Sequence, residues 1–208
     1  MKNFKLTNET IVNDCGVTLH RIKAVKDIIT PRFTVKAGEL GGFVEKVDNL
    51  DDNARVYGDA LVSDNAWVYG NARVSDNARV YGNARVSDCA LVSDNAWVYG
   101  NAWVYGNAWV SDNAWVYGNA WVSDNARVYG DALVFRTNHY LVVGPIGSRD
   151  DYATFFRSKE GPIKVKCGCF RGTTDEFLAK VEKTHGDSKY TKVYRMATEM
   201  ALAQIDTD

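Results

Sequence analysis

The chain has 208 residues, 46% of them hydrophobic and 25% charged, and a formal net charge of −1; this is the composition of a soluble globular protein. Near-neutrality gives no general electrostatic drive toward nucleic acid or a membrane surface, so neither is expected as a partner. No apolar run reaches the length of a membrane span, and the opening MKNFKLTNET lacks an apolar leader core.

The neutral total hides a division. Residues 1–50 carry a net +2, residues 51–135 a net −5 with no Lys or Glu at all, and residues 136–208 a net +2. The four cysteines (Cys15, Cys89, Cys167 and Cys169) are scattered, and the chain is large enough to fold without disulfide staples. Cys167 and Cys169 lie two apart on an expected strand, and no second pair exists to complete a zinc site. Reduced thiols, no metal, no cofactor and a cytoplasmic location are the expectation.

Residues 1–43 form a lead-in whose expected job is to cap the first coil of a repeat region, because an open strand edge templates aggregation. From Asp51 to Phe135 a six-residue unit then repeats fourteen times, with Ala at every step from Ala54 to Ala132 and Val at every step from Val56 to Val134. In Asn-Ala-Arg-Val-Tyr-Gly at 53–58, Ala54 and Val56 point inward. Strand alternation then sends Arg55 and Tyr57 outward. Gly58 and Asp59 fall at a bend, where Gly, Asn and Asp best tolerate left-handed backbone angles. Three such units close an 18-residue, three-sided coil whose turns stack as parallel strands. The register runs upstream through Val44 and Leu50. A two-sided coil of 12 residues is the rival geometry, but the Tyr-Gly/Ser-Asp alternation slips twice, at Ser87/Ser93 and Tyr99/Tyr105.

At 18 residues per coil the outward side chains sort into columns. Tyr81, Tyr99 and Tyr117 stack with Phe135 below them, Trp97 lies over Trp115, Trp103 over Trp121, and Trp109 sits between Arg or Leu neighbours. Trp67 stands apart. Such rings stabilise a ladder by stacking, and contiguous exposed aromatics also mark an interface. Self-association as a dimer or trimer is therefore expected. Asp76, Asp94 and Asp112 share a corner, read as solvated turns in preference to a cation site. Asn65, Asn83, Asn101 and Asn119 form an expected amide ladder.

Beyond Phe135, strand-like runs at Tyr140–Val143, Tyr152–Arg157 and Ile163–Phe170 predict a three-stranded meander. A capping box of Thr173 and Glu176 starts a helix over 174–184, ended by Gly186. A second helix over 189–204 presents Tyr190, Val193, Tyr194, Ala197 and Met200 or Ala201 on its apolar face. Residues 136–208 thus read as a small α+β domain. Gly144, Gly147, Ser148 and Arg149 offer a candidate anion-binding nest, though a tight hairpin needs the same glycines. A Cys169–His185 nucleophile–base pair is a weaker candidate.

The spacing of Val56 with Ala60, and of Val62 with Ala66, resembles the hexapeptide-repeat, left-handed parallel β-helix superfamily. In this chain the Gly or Asp comes one place later than usual, after Tyr57 or Ser63. The segments Leu19–Ala24 and Lys36–Val44, followed by Asn49-Leu50, are similar to the start of bacterial and prophage hexapeptide-repeat proteins. Residues 144–149, 168–172 and 184–186 resemble a C-terminal module of phage proteins. These resemblances imply a mainly β, three-sided left-handed parallel β-helix with a small α+β domain. They also imply a non-enzymatic, phage-associated scaffold that binds itself or blocks a host protein. Two alternatives are a small-molecule sequestering protein, holding a nucleotide signal at subunit junctions near Arg149 or the Trp faces, and an acyltransferase. The superfamily's acyltransferases generally use a histidine near the coil, and none of His20, His139 and His185 lies in the repeats. Ice binding fits less well, since flat Thr arrays are missing.

Overall fold

The computed structural model describes residues 2–29 and 33–206; Met1 and residues 30–32 of the lead-in lie outside the described residues, as do residues 207–208. Each hexapeptide unit forms one two-residue strand, from Arg55–Val56 to Leu133–Val134. Arg79 pairs in parallel with Leu61 on one side and Trp97 on the other, both one 18-residue coil away. Arg85 and Leu91 show the same spacing on the other two sides. The coil is therefore three-sided, and the 12-residue alternative is excluded. The first face carries Leu61, Arg79, Trp97, Trp115 and Leu133; the second carries Trp67, Arg85, Trp103 and Trp121; the third carries Arg55, Arg73, Leu91, Trp109 and Arg127.

Inside, every Ala and Val of the repeat from Ala60 to Val134 is essentially inaccessible. Burying one Val side chain stabilises by about 1.5–3 kcal/mol, so the core is a sum of small identical contributions. Alanine at the second inward position leaves room for the chain to turn. The left-handed residue is the last of each unit: Gly58 has φ 67° and Asp64 φ 58°, and the Gly/Asp slots through Gly130 repeat the pattern. The Asp59 slot beside it keeps an ordinary backbone. A Cβ at Gly58 would come within 3.0 Å of the Asp76 backbone, so the corner is tight, although Asp occupies the equivalent slot in other units.

At the N-terminal end, Leu40–Val44 joins the first face beside Leu61–Val62, and the antiparallel pair Phe4–Val12 and Thr18–Ala24 extends the same sheet. Phe4 and Ile22 close the apolar column from above. Asn49 is wholly buried and its amide donates to the Ala66 carbonyl at 2.8 Å and to that of Asp64 at 3.1 Å. This explains the Asn-Leu lead-in, since Leu50 then bridges to Val68.

The other end is closed by an antiparallel sheet of four strands, Tyr140–Ile146, Asp151–Arg157, Ile163–Cys167 and Phe170–Thr173. The expected third strand is in fact two. Gly168 at φ 54° opens a two-residue turn that folds the run back on itself, and Cys169 sits in this turn, off the strand. Along Asp151–Arg157, alternate residues serve two cores: Phe156 packs on the last coil, while Ala153 and Phe155 face the helices. The helices are α1 (Thr174–His185), with the Thr173/Glu176 capping box formed, and α2 (Lys189–Gln204). The buried side of α2 carries Thr191, Tyr194, Ala197, Thr198 and Ala201; of the two candidates at its end Ala201 is the inward one and Met200 is exposed, while Val193, expected inward, is exposed.

Candidate functional site

Because equivalent residues of adjacent coils are one strand spacing apart, like rings must meet face to face. Tyr81 and Tyr99 stack at 4.9 Å with 1° between their planes, Tyr99 and Tyr117 at 4.9 Å with 4°, and Phe135 follows at 5.4 Å. Trp97 stacks on Trp115 at 5.2 Å and meets Tyr81 edge-on at 6.2 Å. These rings are half-buried, and burial, reinforced by Tyr99, pushes the Tyr81 phenol up to about 12. Terminal elements flank this first face. Asp14, at the tip of the N-terminal hairpin, pairs with Arg79, which lies over Trp97. Lys159 of the C-terminal domain reaches to 3.7 Å from the Trp115 ring.

The second face is different. Trp103 stacks on Trp121 at 5.5 Å, Arg85 lies over Trp103 at 4.9 Å, and Trp67 stacks on Tyr69 at 4.1 Å. Trp67, expected apart, belongs to this column with Arg85 as its spacer. Trp67 is 40% exposed and Trp121 50%. On the third face Trp109 is 43% exposed, with the Arg127 guanidinium 4.5 Å above its ring.

Between the third face and the C-terminal sheet lies a cleft of 350 Å3 lined by Trp109, Arg127, Tyr129, Lys166 and Arg171, with Asp151 at one end. A second cavity of 290 Å3 shares Asp151 and Gly168 with it and is lined by Ser148, Arg149, Cys167, Cys169 and His185 among others. Of the expected anion nest, then, Ser148 and Arg149 reach a cavity. Gly144 lies within the strand against Tyr152, and Gly147 makes room for the Tyr194 hydroxyl, which would stand 1.8 Å from a Cβ there. Their glycines serve close packing.

Cys169 and His185 share the second cavity, and no hydrogen bond joins them among the described residues. Burial pushes the Cys167 thiol up, away from the reactive thiolate. The carboxylates of the corner column are engaged within the protein: Asp76 accepts from the Ser75 hydroxyl at 2.7 Å, Asp94 from the Asp112 N–H at 3.2 Å, and Asp112 from the Gly130 N–H at 3.0 Å. No cluster suited to a metal occurs among the described residues. The amide ladder is formed, with Asn65, Asn83, Asn101 and Asn119 linked at 3.1–3.3 Å. No described helix is long and apolar enough to cross a membrane. Arg127, Lys166 and Arg171 carry no local signature in the sequence, because Arg127 lies in the repeats, far from the hairpin that pairs Lys166 with Arg171.

In the stacked coils, segments 54–70, 66–80, 72–88, 78–94, 96–112 and 102–118 match the family model described as YdcK Beta solenoid repeat. The chain is a β-solenoid repeat protein. Among curated proteins no match is found. The segments matched lie in the coils that carry Trp67, Trp97, Trp103, Trp109 and Trp115.

Proposed function

We propose that this β-solenoid is a non-enzymatic binding scaffold that self-associates through its second face. The main support is the exposure of Trp67 and Trp121 on a face that neither terminal domain extends as a sheet. Monomeric proteins seldom leave large aromatic side chains gathered on one face uncovered, and Trp and Arg, both present in this column, are the residues enriched at interface hot spots. The stacked rings are held rigid by the ladder beneath, so little side-chain entropy is lost on docking. A second copy of the chain offers the same aromatic and guanidinium groups in return.

The distribution of histidines supports binding over acyl transfer. His20 lies on the N-terminal hairpin, His185 ends α1, and His139 is wholly buried under the last coil. The resemblance to prophage repeat proteins supplies a setting for such a scaffold: display of the C-terminal domain, with a host protein as its target. Light scattering tests the association. A mass at a multiple of the 23.2 kDa chain is expected at micromolar concentration, and a 23.2 kDa particle overturns it.

A further inference from the structure

The cleft between the third face and the C-terminal sheet gathers positive charge without matching it. Arg127, Lys166 and Arg171 line it against the single carboxylate of Asp151. Arg171 shares Asp112 at 3.3 Å, and Lys166 donates to the Gly168 carbonyl. Arg127 forms no ion pair among the described residues; its guanidinium lies over Trp109. Lys166 is held below the usual lysine range by burial, with Arg171 and Arg127 adding repulsion. Partly buried cations are ordinarily paired; Arg171 is exposed and paired, so the excess rests on Arg127 and Lys166, both half-buried and without an ion pair among the described residues, and concentrates positive potential in a concave site. It does so on a chain whose repeat region is acidic.

The surroundings narrow the chemistry that would restore the balance. A guanidinium presents a planar fork of donors that matches phosphate oxygens, and Ser111 on the same wall adds a hydroxyl. The Arg127 guanidinium covers one face of the Trp109 ring, and Trp109, 43% exposed, leaves the rest of its indole for a flat ring; contact with such an aromatic surface tolerates any planar base. The volume of 350 Å3 falls within the range of small-molecule sites.

We infer that this cleft is a binding site, within a single chain, for a phosphate-bearing small molecule with a planar ring, a nucleotide by class. Arg127, Lys166 and Arg171 hold the phosphate, and Trp109 carries the ring. The site stands apart from the second face and does not depend on self-association.

Isothermal titration with the common nucleoside monophosphates tests this, with adenosine and inorganic phosphate as controls. The expected result is binding of at least one monophosphate, roughly ten-fold or more tighter than either control. Arg127→Gln and Lys166→Met each weaken it by about ten-fold or more, and Trp109→Ala reduces it to the level of inorganic phosphate. Exposed Arg171→Gln repeats the charge test should the Lys166 variant fail to fold. Absence of binding by every monophosphate, or affinity unchanged in Arg127→Gln and Arg171→Gln, overturns the assignment. Phosphate binding as tightly as the nucleotides overturns the role given to Trp109.

Discussion

The Asp64 carboxylate accepts a hydrogen bond from the backbone N–H of Gly82 at 2.9 Å, one full coil further along. Asp88 and Gly106 repeat the bond at 3.1 Å. An aspartate at the corner thus both tolerates the left-handed backbone and satisfies the next corner, which explains why Asp alternates with Gly in this slot and Ala never fills it. Asp64→Ala is expected to cost about 1–3 kcal/mol, from the lost bond and a left-handed residue with no local compensation. Asp64→Gly should cost less, because glycine recovers the backbone strain. Urea melts of the two variants check the order.

Cys89 occupies an Asn slot between Asn71 and Asn107. At the other two corners the amides bond in continuous ladders, Asn77 to Asn95 at 3.2 Å for example. Cys89→Asn should complete the third ladder and raise stability by about 0.5–1.5 kcal/mol. A lower melting temperature in this variant would contradict the stabilising role given to the ladders.

His139 stands at the junction of the last coil and the C-terminal sheet, its ring edge-on to Phe135 at 4.0 Å. Burial, then Arg157 and Arg136, hold its pKa below the ordinary 6.5, with Asp206 opposing. The folded form therefore keeps the imidazole neutral where the unfolded chain has taken a proton. Its contribution to stability is complete above about pH 6.5 and is lost as pH falls from there toward the folded value. Thermal melts from about pH 8 to about pH 5 should show the decline, and His139→Leu should flatten that part of it.

Much of this was legible in the sequence, for a physical reason. A solenoid places equivalent residues one strand spacing apart, so a period read from Ala and Val fixes the partners of every outward residue. The Tyr81–Tyr99–Tyr117 stack, the Trp97–Trp115 and Trp103–Trp121 pairs and the Asn ladder follow from that number. The C-terminal domain has no such rule. The Gly168 turn that divides one expected strand in two, and the outward position of Val193 on α2, depend on close packing. The cationic cleft needed the domain to be docked before Arg127 could meet Lys166.

Gly147 shows that packing most sharply. At φ 78°, with the Tyr194 hydroxyl where a Cβ would go, Gly147→Ala should destabilise the C-terminal domain by about 1–3 kcal/mol. Tyr194→Phe in the same background should recover part of the loss. Proteolysis of the C-terminal helices reads this out without disturbing the coils.

Joining of copies through the second face is decided by sedimentation velocity of the wild type beside a Trp67→Ser/Trp121→Ser variant. Both side chains are exposed, and their loss leaves the Ala and Val core intact. The wild type is expected to sediment as an oligomer of its 23.2 kDa chain, and the variant as a monomer with an unchanged melting profile. A monomeric wild type, or a variant that remains oligomeric, would contradict association through this face.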